Sequence, residues 1–385
     1  MRAWLAAAAL GVFFGAAGAA PRIPASDDSV VESLPAIAGW SSLKRRLRGA
    51  TQQANADEAT AVAMSRAYLD LAREQGDARY AGYAMGALQA WSDRPVAETP
   101  HAVLLMRATV AQYLHDFDGA ERLLRAAIAR DPADSQAWIT LATVLRVRGR
   151  YGESDAACRS LGRAGPALFA IACLAENQAL RGQYDAARDA LTSLLAQPAL
   201  AGPSQAATRQ WLLTSLAEVE ELAGNAARAD AAYRQALGVQ RSGYLVLAYG
   251  DYLQRVGRGG EVRALLAPEA RSDAVLLRLA IAAGAGPTQA DARELGERFD
   301  AAAQRPGTAA LHAREEAMFA LDVQQDPKRA LALARLNADR QREPIDLLIY
   351  ARAAAASGDP GARAEVRALM ERIGLKDTRV DEILR

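Results

Sequence analysis

Three histidines, two cysteines and two pairs of adjacent glutamates are the residues of this chain whose types could do chemistry. His101, His115 and His312 are widely spread, and no Cys/His cluster has metal-ligand spacing. A hydrolytic triad would need an unusual long-range arrangement. Glu220-Glu221 and Glu315-Glu316 fall in helical stretches, where neighbours point in different directions, so each pair reads as solvated charge and not as an acid/base couple. The chain has no Gly-rich phosphate loop with lysine, no Gly-x-Ser-x-Gly elbow and no His-Glu-x-x-His. Gly284-Ala285-Gly286-Pro287 reads as a turn, because of its proline and the missing third glycine. The sequence gives no positive reason to expect an enzyme. No metal and no cofactor are expected.

The elements that must position these residues are helices. The 385 residues are 51% apolar and only 6% aromatic, with alanine, leucine and arginine dominant, a composition that favours helix over sheet. Lys+Arg number 46 against 45 Asp+Glu, so the electrostatic footprint of a nucleic-acid binder is missing. The one dense basic run, Lys44-Arg45-Arg46-Leu47-Arg48, reads as a solvated helix face. Residues 1–20 read as an export signal: Arg2, an apolar stretch from Leu5 to Phe14, then Ala17-Gly18-Ala19-Ala20. A cleaved signal makes the expected location periplasmic or secreted. No later segment approaches the length of a membrane helix. In an oxidising compartment Cys158 and Cys173 can pair; the alternative is two small buried apolar residues.

A repeat organises most of the chain. In the stretch Ala137 to Pro166, counted from Ser135, Trp138 falls at position 4, Leu141-Ala142 at 7 and 8, Leu145 at 11 and Gly149 at 15. Tyr151, Ser154, Cys158, Leu161 and Pro166 follow at 17, 20, 24, 27 and 32. Stepping back 34 residues to His101 repeats the pattern through Leu104, Ala108, Phe117, Ala120 and Asp131-Pro132. It recurs forward through Gly182-Gln183-Tyr184, Gly224 and Gly257. This signature resembles the tetratricopeptide repeat, although Ser154 and Cys158 depart from its usual alanine and aromatic. The resemblance implies an all-α fold: an α-solenoid, a right-handed superhelix of about nine helix-turn-helix units over residues 57–375. An N-terminal arm over 21–56 and a C-terminal capping segment over 376–385 complete the expected organisation.

The physics of the pattern is direct. Small residues such as Ala108, Ala142, Ala175, Ala187, Ala229 and Gly250 let the two helices of a unit approach closely, and larger ones fill the seams. By position, Trp138 belongs to a seam. Glycine near 15 ends the first helix in a left-handed conformation, and proline at 32 separates units. The register also places Cys158 and Cys173 on adjacent helices.

The family resemblance implies a concave groove that binds a peptide or a partner helix, lined by positions 2, 5, 9 and 12. Carried over residue by residue, these are Leu105, Thr109 and Gln112, then Ile139, Thr143 and Arg146, then Phe169 and Glu176. Trp211, Glu218 and Glu221, then Tyr244, Asp251 and Gln254, complete the set. The basic clamp that some relatives use for a C-terminal carboxylate is absent, since Thr109, Thr143, Glu176, Glu218 and Asp251 occupy position 9. The central groove reads as more acidic than basic, suited to a neutral or basic segment. The expected function is a non-enzymatic protein–protein interaction scaffold of the periplasm or envelope. The alternatives are a self-assembling structural protein and an accessory subunit of a cell-envelope enzyme.

Overall fold

A computed structural model describes residues 57–77, 79–284, 289–304 and 312–385. The export signal, the arm, the basic run at Lys44–Arg48 and most of the turn at Gly284–Pro287 lie outside the described residues.

Nine hairpins follow one another among the described residues. The first three are α1 (Glu58–Gln75) with α2 (Arg79–Ala87), α3 (His101–Tyr113) with α4 (Phe117–Arg130), and α5 (Ser135–Val147) with α6 (Tyr151–Ala164). The central three are α7 (Ala167–Leu180) with α8 (Tyr184–Leu195), α9 (Ala206–Leu222) with α10 (Ala226–Val239), and α11 (Gly243–Arg255) with α12 (Gly259–Leu266). The last three are α13 (Asp273–Ala282) with α14 (Ala290–Ala303), α15 (Ala313–Asp322) with α16 (Pro327–Ala338), and α17 (Pro344–Ser357) with α18 (Pro360–Ile373). A short helix, α19 (Thr378–Leu384), ends the chain, and the described residues contain no strand. Each first helix packs on its own partner, and successive first helices pack on one another except between α9 and α11, where α10 makes the main contact with α11. The protein is an α-solenoid of tetratricopeptide-like hairpins.

Local chemistry explains the boundaries. Asp116, Asp134, Asp326 and Asp359 accept backbone N–H bonds at the starts of α4, α5, α16 and α18, occupying donors that the helix leaves free. Gly149, Gly182, Gly224 and Gly257 end α5, α7, α9 and α11 with φ between +72° and +83°. His115 holds the same place after α3 at φ +59°, a conformation disfavoured for a residue with a side chain. Its ring stacks on Phe117 at 5.7 Å. The small residues at positions 8 and 20 are buried, as close helix contact requires. Trp138 is only half-buried, and its indole N–H donates to the Pro132 carbonyl at 2.9 Å. That bond draws the ring toward the loop before α5 and away from a fully buried seam position.

Cys158 on α6 and Cys173 on α7 are joined in a disulfide, with their Cα atoms 5.7 Å apart. It ties the third unit to the fourth.

The chain from Arg342 onward reaches back to the middle of the stack. The Arg342 N–H donates to the Val147 carbonyl at 2.7 Å, and the Lys376 N–H to the Leu180 carbonyl at 2.8 Å. The Thr378 hydroxyl donates to the Leu222 carbonyl at 2.9 Å. Val147, Leu180 and Leu222 are the final residues of α5, α7 and α9, so the C-terminal part of the chain satisfies the carbonyl ends of three successive first helices. α19 accordingly packs on both α17 and α9. On the other side, Gly76 after α1 sits so close to Ser272 before α13 that an added Cβ would lie 2.2 Å from the serine Cβ. The stack comes back on itself.

The turn glycines make this closure possible. An added Cβ at Gly224 would meet Thr378 Oγ1 at 2.9 Å, while at Gly257 it would meet nothing within 4 Å, although both have φ near +78°. Gly257→Ala is therefore expected to lose only the backbone cost, about 1 kcal/mol. Gly224→Ala should lose at least about 1 kcal/mol more, because it also pushes Thr378 off the Leu222 carbonyl. Urea midpoints of the two variants check this; equal losses would show that Thr378 yields freely.

Candidate functional site

The closure turns the concave face into a cavity of about 670 Å³, within the range of about 300–1,000 Å³ typical of ligand sites. Its wall comes from the first helices α5, α7, α9 and α11. Its roof comes from Arg314 and Glu315 on α15, Arg342 to Ile345 at the start of α17, and Arg379 on α19.

Nine of the fourteen groove positions named from the sequence line this cavity: Ile139, Thr143, Arg146, Glu176, Trp211, Glu218, Glu221, Tyr244 and Asp251. The other five lie outside it. Leu105 packs against the core of the second unit, and the Thr109 hydroxyl is occupied by the Leu105 carbonyl at 2.9 Å. Gln112 is half-buried near the end of α3. Phe169 stacks on Trp211 with centroids 6.0 Å apart, so it supports an aromatic of the wall. The Gln254 amide donates to the Arg278 carbonyl at 2.7 Å. Sequence reading missed Tyr151, Arg314, Arg342, Glu343 and Arg379, which reach the cavity from a second helix or from the roof. Nothing local in the sequence marks the roof residues, since the backbone that brings them there comes from the opposite end of the stack.

The expected acidic groove is largely neutralised. Arg146 pairs with Glu176 and reaches Asn177 at 2.9 Å, while the Ser215 hydroxyl donates to Glu176 at 2.6 Å. Asp251 takes the Arg278 guanidinium at 2.6 Å. Glu221 receives Arg255, Arg379 at 2.6 Å and the Tyr233 hydroxyl at 2.6 Å. Arg379 is fixed in turn by buried Asp377 at 2.6 Å, and these anions hold its guanidinium charged against burial. Glu220 and Glu221 are thus not solvated: both are buried, Glu220 paired with Arg188. Glu316 is half-buried beside Arg329 at 3.5 Å. Isolated buried carboxylates would be costly, so the arginines are what permit these positions.

Glu218 differs from its neighbours on the wall. Its bond is from the Tyr244 hydroxyl, with no guanidinium on it. Burial, reinforced by the carboxylates of Glu176, Glu221 and Glu343, pushes its pKa up to about 8. The Glu218 charge in turn raises the Tyr244 phenol. Tyr244 is 64% exposed and lines the cavity. Tyr151 shows the reverse: it is 3% exposed, lines the cavity, and its hydroxyl has no hydrogen-bond partner among the described residues.

The histidines do not meet. His101 bridges the Asp134 carboxylate at 2.7 Å and the Ala127 carbonyl at 3.2 Å, a link between the second and third units. His115 is held toward its neutral form by burial and by Arg314, and His312 precedes α15. Among the described residues no group of three His, Cys, Asp or Glu side chains is placed to hold a metal.

No family model matches the chain, and no curated protein matches it. Among solved structures, PilW, a widely conserved type IV pilus biogenesis factor, is 19% identical over 60% of this chain and 97% of its own, with a TM-score of 0.37. A tetratricopeptide repeat protein from Parabacteroides merdae is 15% identical over 74% and 97%, with a TM-score of 0.32. The Cut9–Hcn1 tetramer of the APC/C is 13% identical over 86% of this chain and 63% of its own, with a TM-score of 0.48. Likeness at this level assigns no residue a role. No described helix is long and apolar enough to cross a membrane.

The raised Glu218 pKa makes stability depend on pH with a fixed sign. Between the usual glutamate value of 4.5 and about 8, the folded state holds a proton that the unfolded chain releases. The Glu218 contribution is therefore fully present below the lower value and is lost as pH rises through the upper one. Glu218→Gln is expected to match the wild type at pH 5 and to exceed it by about 1 kcal/mol at pH 8.5, after allowance for residual hydration. Thermal unfolding of both proteins across that range tests this; parallel curves would reject it.

Proposed function

We propose that this protein is a non-enzymatic interaction scaffold of the periplasm or cell envelope that receives a peptide segment of a partner protein in its concave cavity. The observation that carries the reading is the cavity wall: Trp211 and Tyr244 stand as aromatic anchors beside carboxylates fixed by arginines. Aromatic residues in partly enclosed hollows dominate the energetics of protein recognition. The roof favours an extended segment over a partner helix. A helix about 10–12 Å across would have to displace Arg342 to Ile345, a stretch whose Arg342 is bonded to the end of α5. Export is supported by the N-terminal sequence and is consistent with the disulfide, a bond that persists in oxidising compartments.

The test is affinity capture from envelope extract with the mature protein, a Trp211→Ala/Tyr244→Ala double variant and a Tyr83→Ala control. Tyr83 is 55% exposed on α2, away from the cavity. The double variant is expected to lose at least about tenfold in recovered partner, the effect of removing a hot spot of about 2 kcal/mol. The control should lose nothing. Identical recovery by the folded double variant would sink the proposal.

A further inference from the structure

Two unused groups face the cavity. Glu218 is the wall carboxylate that no arginine holds, and the Tyr151 hydroxyl is buried without an acceptor. A buried hydroxyl with no partner carries an unmet desolvation cost, which a ligand acceptor would relieve. Glu343 at the roof acts electrostatically on both groups, so they share one neighbourhood. Every other carboxylate of the wall already has its cation: Glu176 has Arg146, Glu221 has Arg255 and Arg379, and Asp251 has Arg278. Among the described residues, a positive charge arriving at the wall therefore finds Glu218 without a cation, Glu315 at the roof being the other cavity carboxylate that no ion pair holds.

We infer that the cavity takes a lysine side chain of the bound segment, its ammonium on the Glu218 carboxylate and a backbone carbonyl of the same segment on the Tyr151 hydroxyl. One Glu218 oxygen already accepts from Tyr244, which leaves a single-point site. A compact ammonium satisfies such a site in full, whereas a guanidinium there would forgo its forked pairing and hold by one N–H, as Arg278 does on Asp251. The rings of Trp211 and Tyr244 border the same space and favour a cation as well as its aliphatic stem.

The proton balance follows. Glu218 faces Glu176 on α7, Glu221 on its own helix, Tyr244 on α11 and Glu343 before α17, and it is mostly protonated at neutral pH. An incoming ammonium displaces that proton to solvent, so binding releases up to one proton and strengthens as pH rises toward 8.

This inference rests on the peptide reading above, and the experiment separates the two. Titration calorimetry of the mature, disulfide-bonded protein uses acetyl-Leu-Lys-Leu-amide, its ε-acetylated form and 1,5-diaminopentane as probes. The lysyl peptide is expected to bind at least about tenfold more tightly at pH 8.5 than at pH 6, with buffer-dependent heats that report proton release. The ε-acetylated peptide should be at least about tenfold weaker at pH 8.5. Glu218→Gln should abolish both differences, and its unfolding curve shows that it is folded. Tyr151→Phe should weaken the lysyl and acetylated peptides alike. Equal binding of the two peptides, unchanged binding to Glu218→Gln, or no binding of any probe would overturn the inference. Tighter binding of diaminopentane than of the peptide would overturn the assignment to a side chain. If Trp211→Ala/Tyr244→Ala abolishes capture from extract while Glu218→Gln leaves it intact, the lysine assignment falls and the scaffold reading stands.

Discussion

Three backbone carbonyls hold the closed form of this molecule together. Val147, Leu180 and Leu222 end successive first helices, and each would present an unpaired oxygen to whatever packs there. Arg342, Lys376 and Thr378 fill those positions. Each bond contributes only about 1 kcal/mol net, but leaving a packed carbonyl unpaired costs about 1–3 kcal/mol. The C-terminal segment therefore has a single docking register: shifting it by one residue would orphan the carbonyls and bring side chains onto the turn glycines. Gly149, Gly182 and Gly224 serve two ends here, since their missing Cβ atoms both permit the left-handed turn and admit Ile373, Lys376 and Thr378.

The closure also sets the electrostatics of the concave face. An open groove would leave Glu176, Glu221 and Asp251 in water, where their charge needs no compensation. Under a roof they lie in a lower dielectric, and each is found with an arginine. Arg146 comes from the wall itself, Arg278 from α13 and Arg379 from the last helix. Glu218 is left to a tyrosine alone, and with no cation to offset burial its pKa is pushed up.

What was legible in the sequence was local. Gly182-Gln183-Tyr184 marks a turn because one left-handed residue and one helix start suffice to define it, and the buried small residues at positions 8 and 20 mark each hairpin. The registers of the groove positions followed from the hairpins, which is why most of them fall on the cavity. The roof was not legible, because Arg342 reaches Arg148 across 194 residues and Thr378 reaches Leu222 across 156, and no periodic pattern encodes such pairings. The misreading of Glu220 and Glu221 as solvated has a different origin. Their partners Arg188 and Arg255 lie 32 and 34 residues away, close to one repeat length. Comparing each charge with the residue one unit away, instead of one helical turn away, would have paired them.

The bond between Cys158 and Cys173 spans a seam between units, not the interior of one. A stack of hairpins is mechanically a coil spring, whose pitch changes by small slips at every seam. Locking one seam covalently removes a degree of freedom from the α5 and α7 side of the cavity, the side that Cys173 itself lines. The α9 side is held differently, by the Thr378 hydrogen bond and the Arg379 ion pair, so one side of the cavity is locked covalently and the other by contacts that can open.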